Sequence, residues 1–591
     1  MKKTKSDKYK IGVIALIVIL AMLAFAGCAS AKAIIVPDDY GTIQGAVDAA
    51  DPADTIYVRS GLYIEHVMID KNSLTVIGED MDYVIVDGGW SGDCFYVTGD
   101  KVSISNFTIQ NSGSSYSGIH LEDSSDCTIK DNRIISNGNG ISIKSYGGNN
   151  NNYNQITNND INSNSYNGIK IYPPHLHTGG NFNNNQILNN DISSNGGSGI
   201  YVYDTEGGSN FNNNQIANNK LSFNGGSGIE FYIYAYSRSA NLNANQMKNN
   251  DIIYNSGDGI HMSISGRMVY GLPYYVYAND THMVENSVYS NNGSGIYLSK
   301  GGLAYFDSAQ IINNGIGSNS GDGVYFESTS TGCQITRTKL LNNIIDSNGV
   351  DGICLDSNVV ESQITGNDII LNHDYGIYLG SGSSLNKIYH NNFNRNNKQA
   401  EEYESSNFFD NGPIDGGNYW SNHMCHGDPS NGSEPYIIPP YGRKDRYPFE
   451  HQSGWLKPTV SIYTDKTNYT TGDKMQLGLD VKNPLDTAQN VGIDIWLGMP
   501  AYPWTYTLIH KPSIKLPAGL DYSNPDFKVF KLPPIASGTY TWYAQLSDPI
   551  TGEIICEDTA EWEFVPIPTE APTADITEIL GQTTVVIDFA E

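Results

Sequence analysis

Basic side chains are the first shortage in this chain of 591 residues. Lysine and arginine number 34 against 63 aspartates and glutamates, a net charge of −29. Such a surface argues against nucleic acid as a partner, because phosphates call for a basic face. Charge of either sign is also scarce, 16% of residues against the roughly 25% usual in soluble domains. Cysteine is rare, with seven residues, and Cys94, Cys127, Cys333, Cys354, Cys425 and Cys556 are scattered without a CxxC pair. That spacing marks no metal site and prescribes no disulfide, although an exported chain permits one. Long apolar runs are limited to Ile11–Gly27, and the acidic tail 566–591 holds no second. Any membrane contact therefore runs through the N-terminus alone.

What the chain has instead is asparagine, serine, 61 glycines and 40 tyrosines. An acidic surface of this kind suits neutral glycans, divalent cations or simple solubility. Residues 1–28 read as an export segment, with Lys2, Lys3, Lys5, Lys8 and Lys10 ahead of the apolar run and Cys28 at its end. The ending Ala26-Gly27-Cys28 resembles a lipoprotein signal, with Phe25 where leucine is usual, and makes Cys28 the expected lipidation site. The competing reading is an uncleaved anchor, for which the run is barely long enough. Both place the protein outside the cell, at the surface and tethered.

The middle of the chain repeats itself. An apolar residue is followed by another five later, an asparagine three after that, and Gly-Ile four further on. Ile187, Ile192, Asn195 and Gly199-Ile200 show it, and Ile216, Leu221, Asn224 and Gly228-Ile229 show it again. The glycine recurs at 118, 140, 168, 199, 228, 259, 295, 323, 352 and 376. Near-periodic units of short β-branched segments with Asn/Gly corners describe stacked coils whose apolar faces need neighbours. A parallel β-helix fits, with coils ~4.8 Å apart and ten of them spanning roughly 50 Å. The column Asn137, Asn164, Asn195, Asn224, Asn255, Asn291, Asn319, Asn348, Asn372 and Asn396 is expected to be structural. Asparagine tolerates left-handed backbone at a corner, and its amide bonds to amides above and below.

Before the repeats, Thr42–Ala50 carries an apolar stripe at helical spacing that stops at Asp51-Pro52. This predicts a helix capping the open end of the stack. The β-helix is expected over 34–410, with a closing segment over 411–455. Residues 458–565 lose the asparagine runs and show alternating strands, which predicts an immunoglobulin-like β-sandwich, followed by a linker-like tail over 566–591.

The opening Val36-Pro37-Asp38-Asp39-Tyr40-Gly41-Thr42-Ile43-Gln44 and the Gly-Ile/Asn coils resemble right-handed parallel β-helix proteins of the pectin-lyase-like superfamily. Gly417-Asn418-Tyr419-Trp420-Ser421, then Pro435-Tyr436-Ile437 and Asp445-Arg446-Tyr447-Pro448, is similar to the end of the β-helix in NosD-type copper accessory proteins and in archaeal surface proteins. The resemblance covers roughly 34–450. It implies the all-β fold, and it leaves activity open. The Gln-Asp-Asp-Arg set of pectin methylesterases is missing, as are the Asn-Thr-Asp, Asp-Asp and Gly-His-Gly motifs of polygalacturonases.

Side chains on the strand after each Gly-Ile alternate in and out. With isoleucine inward, one outward column reads His120, Ser142, Lys170, Tyr201, Glu230, His261, Tyr297, Tyr325, Cys354, Tyr378, and a second includes Glu122, Lys144, Tyr172, Tyr203 and Tyr232. Tyr172, Tyr201, Tyr203, Glu230, Tyr232, His261 and Tyr297 are the candidate carbohydrate contacts, since tyrosine offers a flat apolar ring with a polar edge. Aromatic insertions at 173–182, 231–236 and 268–277 are expected to wall this face as loops. Glu230, His261 and Lys170 are the catalytic candidates if the face works as a polysaccharide lyase or epimerase on uronate glycans, with Asp204 and Glu206 as further acids. Such chemistry needs a base and something to neutralise the uronate, for which Ca²⁺ is the natural ion. His175, His177, His423, Cys425 and His426 are the metal candidates, the last three soft enough for copper. The leading expectation is glycan binding or an envelope role.

Overall fold

The computed structural model describes residues 31–146, 149–173, 179–329, 334–404, 406–485, 487–499 and 505–566. Contacts divide the chain into two compact units, Met1–Met424 with Gly432–Pro448, and Cys425–Asn431 with Phe449–Glu591.

The first unit is a parallel β-helix. Each coil writes three short strands, and one coil shows the scheme. Gln186–Leu188 joins the first sheet, Asp191–Ser193 the third and Ile200–Asp204 the second. Repeated coil on coil, this builds three parallel sheets, two of 14 strands and one of 13 to which an antiparallel hairpin strand is added. At ~4.8 Å per strand the stack is about 60 Å long. Equivalent residues align in register: Ile156 on Ile187 on Ile216 on Met247 in one sheet, Ile161 on Ile192 on Leu221 on Ile252 in another. All of these are buried. Strands of three residues bury only their central side chain, so each coil depends on the coils above and below for its core.

Between strands the chain must turn without losing its polar groups. The predicted asparagine column does this. Asn195 is buried; its Oδ1 accepts from the Asn164 amide at 2.9 Å, while its Nδ2 donates to Asn224 Oδ1 at 3.0 Å and to the Ile161 carbonyl at 3.1 Å. The left-handed corner residue, however, is the one before it. Ser163, Ser194 and Ser290 take φ of 55°, 56° and 57°, while the asparagine itself supplies the bonds. A second ladder, Asn132, Asn159, Asn190, Asn219, Asn250, Asn286, Asn314, Asn343, Asn367, Asn391 and Asn418, does the same at the preceding corner.

Helix α1 (Ile43–Ala49) covers the N-terminal end. Thr42 caps it, its side chain accepting from Gly45 N–H at 3.0 Å, and Glu65 takes the Ile43 and Gln44 N–H groups. Ile43, Ala46 and Val47 are buried. At the other end Trp420 lies flat between Phe393 and Tyr436, with centroids 4.4 and 4.1 Å away, and its Nε1 donates to Asp445 at 2.8 Å. The Gly-Asn-Tyr-Trp-Ser and Asp-Arg-Tyr-Pro blocks thus meet as a lid of stacked rings over the last coil.

Two of the three aromatic insertions, 231–236 and 268–277, differ from the loops expected, and 174–178 of the third lie outside the described residues. Ala240–Asn241, Val276–Asn279, Ala304–Asp307, Ile335–Thr336 and Val359–Val360 pair as a fourth, five-stranded parallel sheet. Residues 231–235 continue the strand Ile229–Ala235, and Ile260–Val269 turns back as a hairpin with Leu272–Tyr274. Inside the added side, Phe182 and Phe211 stack at 4.9 Å and are buried. The insertions repeat in step, so they pair with one another rather than wander as loops.

The second unit is a pair of sheets around one core. Thr459–Thr464, Lys474–Lys482 and Asp521–Lys531 form three antiparallel strands. Asn468–Tyr469, Ile554–Phe564, Gly538–Ser547, Gln489–Gly498 and Thr505–Leu516 form the other sheet, in that order. Leu477, Leu479, Ile493, Ile495, Trp542 and Trp562 are buried among their inner faces.

Candidate functional site

Pairing in the second sheet places the outward column as the sequence predicts. Lys170 lies beside Tyr201, Tyr201 beside Glu230, Glu230 beside His261 and His261 beside Tyr297. Tyr203 pairs with Tyr232 and Lys144 with Tyr172. All the predicted contact residues are half-buried or exposed. Tyr203 and Tyr232 stack with centroids 6.1 Å apart and planes 15° apart, and Tyr201 leans on Tyr203 at 5.6 Å. Tyr297 stacks on Tyr325 at 4.9 Å and 13°. The face is therefore a band of rings one coil apart, several of them stacked on one another.

The titratable groups among the rings are held rather than loose. Glu230 accepts from Ser198 Oγ at 2.5 Å. His261 Nδ1 lies 3.0 Å from Asp258 Oδ2, and its ring 4.7 Å from that of Tyr297. Tyr297 donates to Glu327 at 2.5 Å. Burial, reinforced by Glu230, pushes the Tyr201 hydroxyl above the usual phenol range; burial and the Glu327 bond do the same at Tyr297. Burial pulls Lys170 below its ordinary value. Glu230 has Tyr201 and His261 as its neighbours in the column, so no second carboxylate stands beside it there for a two-acid hydrolysis.

Three aspartates on this side escaped the sequence reading. Asp258, Asp322 and Asp351 each sit one residue before the Gly-Ile or Gly-Val pair, a position the repeat pattern treated as filler. One oxygen of each closes the corner, accepting from the N–H of Ser294, Asp351 and Tyr375 respectively, at 2.6, 2.8 and 2.9 Å. Burial pushes Asp351 up to about 7 and raises Asp322; Cys354 between them is also raised by burial. At the N-terminal end of the same face the outward residues His120, Glu122 and Lys144 gain two partners that the columns did not include, Asp93 and Tyr96. His120 Nδ1 is 3.1 Å from Asp93; Glu122 accepts from Tyr96 at 2.7 Å and lies 3.5 Å from Lys144. Asp204, counted as a spare acid, is buried and spends its carboxylate on the N–H groups of Glu206, Gly207 and Ser209.

Of the metal candidates, His175 and His177 lie outside the described residues. His423 Nε2 lies 2.9 Å from the Glu434 carbonyl within the first unit, and Cys425 is buried in the second. Among the described residues no three His, Cys, Asp or Glu side chains are grouped to hold a metal ion, and no disulfide forms. Cys28 also lies outside the described residues. Among those described, no helix is long and apolar enough to cross a membrane.

Two family models match this chain. Residues 227–425 match the periplasmic copper-binding protein (NosD) family, and residues 93–270 match the right-handed β-helix region. No curated protein matches the chain in sequence. Among solved structures, the A-module of the Azotobacter vinelandii mannuronan C-5 epimerase AlgE6 is similar at 17% identity, over 62% of this chain and 92% of that one, with a TM-score of 0.41. The Dettilon tailspike protein is similar at 14% identity, over 84% and 91%, with a TM-score of 0.40. The catalytic domain of a GH87 α-1,3-glucanase is similar at 14% identity, over 64% and 67%, with a TM-score of 0.37. With three parallel sheets coiled about one core and both family models falling on those coils, the first unit is a right-handed parallel β-helix, part of which is similar to the NosD family.

Proposed function

We propose that the outward face of the second sheet binds carbohydrate, on a protein that is exported and tethered through its N-terminal segment. The observation that carries this is the band of ring faces running coil by coil through Tyr172, Tyr201, Tyr203, Tyr232 and Tyr297, with Glu230 and His261 at hydrogen-bonding positions among them. Rings stacked along a rigid ladder are preorganised, so little ordering is lost when a sugar settles on them.

The test is affinity electrophoresis of the full chain in gels cast with neutral and acidic polysaccharides. Tyr201→Ala combined with Tyr232→Ala is expected to weaken retardation at least tenfold while the melting temperature holds within a few degrees. Unchanged retardation in that variant, or none with the native chain on any polymer, refutes the reading.

A second reading, lyase or epimerase action on uronate glycans, has one observation in its favour. The Asp258 carboxylate anchors one nitrogen of His261, which is how a general base is oriented with its other nitrogen left for a proton. Unsaturated product, followed by ultraviolet absorbance, and its loss in His261→Ala would establish it.

A further inference from the structure

Lysine 170 stands out on this face by what it lacks. In a chain with 63 acidic residues and 34 basic ones, most half-buried cations have a carboxylate at hand. Lys144, on the neighbouring coil, lies 3.5 Å from Glu122 and bonds the Tyr146 hydroxyl. Lys170 has no ion pair among the described residues; its ammonium rests over the Tyr172 ring, 4.4 Å from the centroid. Burial alone shifts its titration, with no neighbouring charge contributing. A cation partly stripped of water and compensated only by a ring is an incomplete arrangement, because a ring recovers only part of the lost hydration.

Its surroundings describe the missing group. Ser142 lies beside it on one coil and Tyr201 on the next, while Tyr172 flanks it on its own strand. Lys144 is diagonal to it, paired with Tyr172. The site thus offers one ammonium without an ion-pair partner among the described residues, with tyrosine rings on its own strand and on the next coil, in line with the tyrosine band. We propose that Lys170 is a subsite for the carboxylate of an acidic sugar, one unit of a polysaccharide laid along the coils. Rings hold the sugar's apolar face, and the ammonium takes the place of the absent ion-pair partner. This rests on the glycan-binding reading and names its ligand class: an anionic glycan, engaged near the N-terminal end of the band.

The test compares polygalacturonate with the same polymer after carboxyl reduction, and with dextran sulfate, using the full chain. The native protein is expected to bind polygalacturonate at least tenfold more tightly than the reduced polymer and to lose that preference as salt is raised. Lys170→Met, which keeps the stem over Tyr172, is expected to abolish the preference, bringing binding of polygalacturonate down to that of the reduced polymer; Lys170→Arg is expected to retain it. Equal binding of native and reduced polymer, or an unaltered preference in Lys170→Met, overturns the subsite while the tyrosine band stands. Tighter binding to dextran sulfate than to polygalacturonate overturns the carboxylate assignment. Binding to none of the polymers overturns subsite and band together.

Discussion

The side chain of asparagine 195 makes four hydrogen bonds while almost wholly shielded from water, and its neighbours in the ladder depend on it. Its oxygen satisfies both the backbone N–H and the side-chain amide of Asn164, and its own amide serves Asn224 and Ile161. Truncation leaves those buried groups without partners, at about 1–3 kcal/mol for each one that water cannot reach. Asn195→Ala is therefore expected to destabilise the β-helix by about 3 kcal/mol, read as a lower urea midpoint of the strand circular-dichroism signal. Asp445 gives a residue-scale prediction of a different kind. It is fully buried, and burial pushes its carboxyl up to about 7 even though Trp420 Nε1 and the Asn418 and Tyr447 N–H groups favour the ionised form. A carboxyl whose folded pKa exceeds its unfolded one holds its proton more tightly when folded. Its contribution is complete below the unfolded pKa and is lost as pH rises through about 7. The melting temperature is expected to fall between pH 5 and pH 8.5, and Asp445→Asn to flatten that slope; a profile unchanged by the substitution contradicts the assignment.

A whole coil is the unit the sequence spells, and its glycine shows why. A Cβ on Gly228 would meet Ile252 Cγ2 at 2.3 Å and the Gly259 carbonyl at 2.8 Å, both on the next coil. Close stacking of coils, rather than an unusual φ, excludes a side chain there. Gly228→Ala is expected to cost about 1–3 kcal/mol through overpacking, with a lower melting temperature as the readout. Strict local devices of this sort were legible: the Ile columns, the first Asn ladder, α1 and the outward tyrosines all follow from spacing. The corner conformation was read onto the wrong residue, because an asparagine that bonds neighbours and a serine that bends the chain look alike in a pattern of small polar residues. The fourth sheet escaped notice because its segments vary in length, so only three-dimensional pairing reveals their shared step. Asp258 stayed invisible as a partner of His261 for a related reason. Its importance lies in pointing across a corner that a column of outward residues does not include.

At the scale of the whole molecule, two different ways of burying apolar surface occur in one chain. The coils bury theirs against copies of themselves, so a coil has no stability in isolation. The C-terminal sheets bury theirs against each other, with Trp542, Trp562, Phe530, Ile493, Ile495 and Leu497 enclosed among strands that all come from 459–564. Such a set is closed on itself: each inner face has its partner within the same hundred or so residues, which is the condition for a domain to fold alone. A chain of residues 449–566 is therefore expected to unfold cooperatively by itself, and buried Trp542 and Trp562 supply the signal as their fluorescence shifts on exposure to water. Cutting within the coils should behave otherwise. A chain ending after Gly259-Ile260 exposes the strand edge and the Ile252 and Asn255 positions that the next coil covers, and it loses the Trp420 lid. It is expected to aggregate rather than to melt reversibly. Soluble, cooperative behaviour from the truncated coils, or a non-cooperative transition in 449–566, would show that stability is distributed differently from the burial described here.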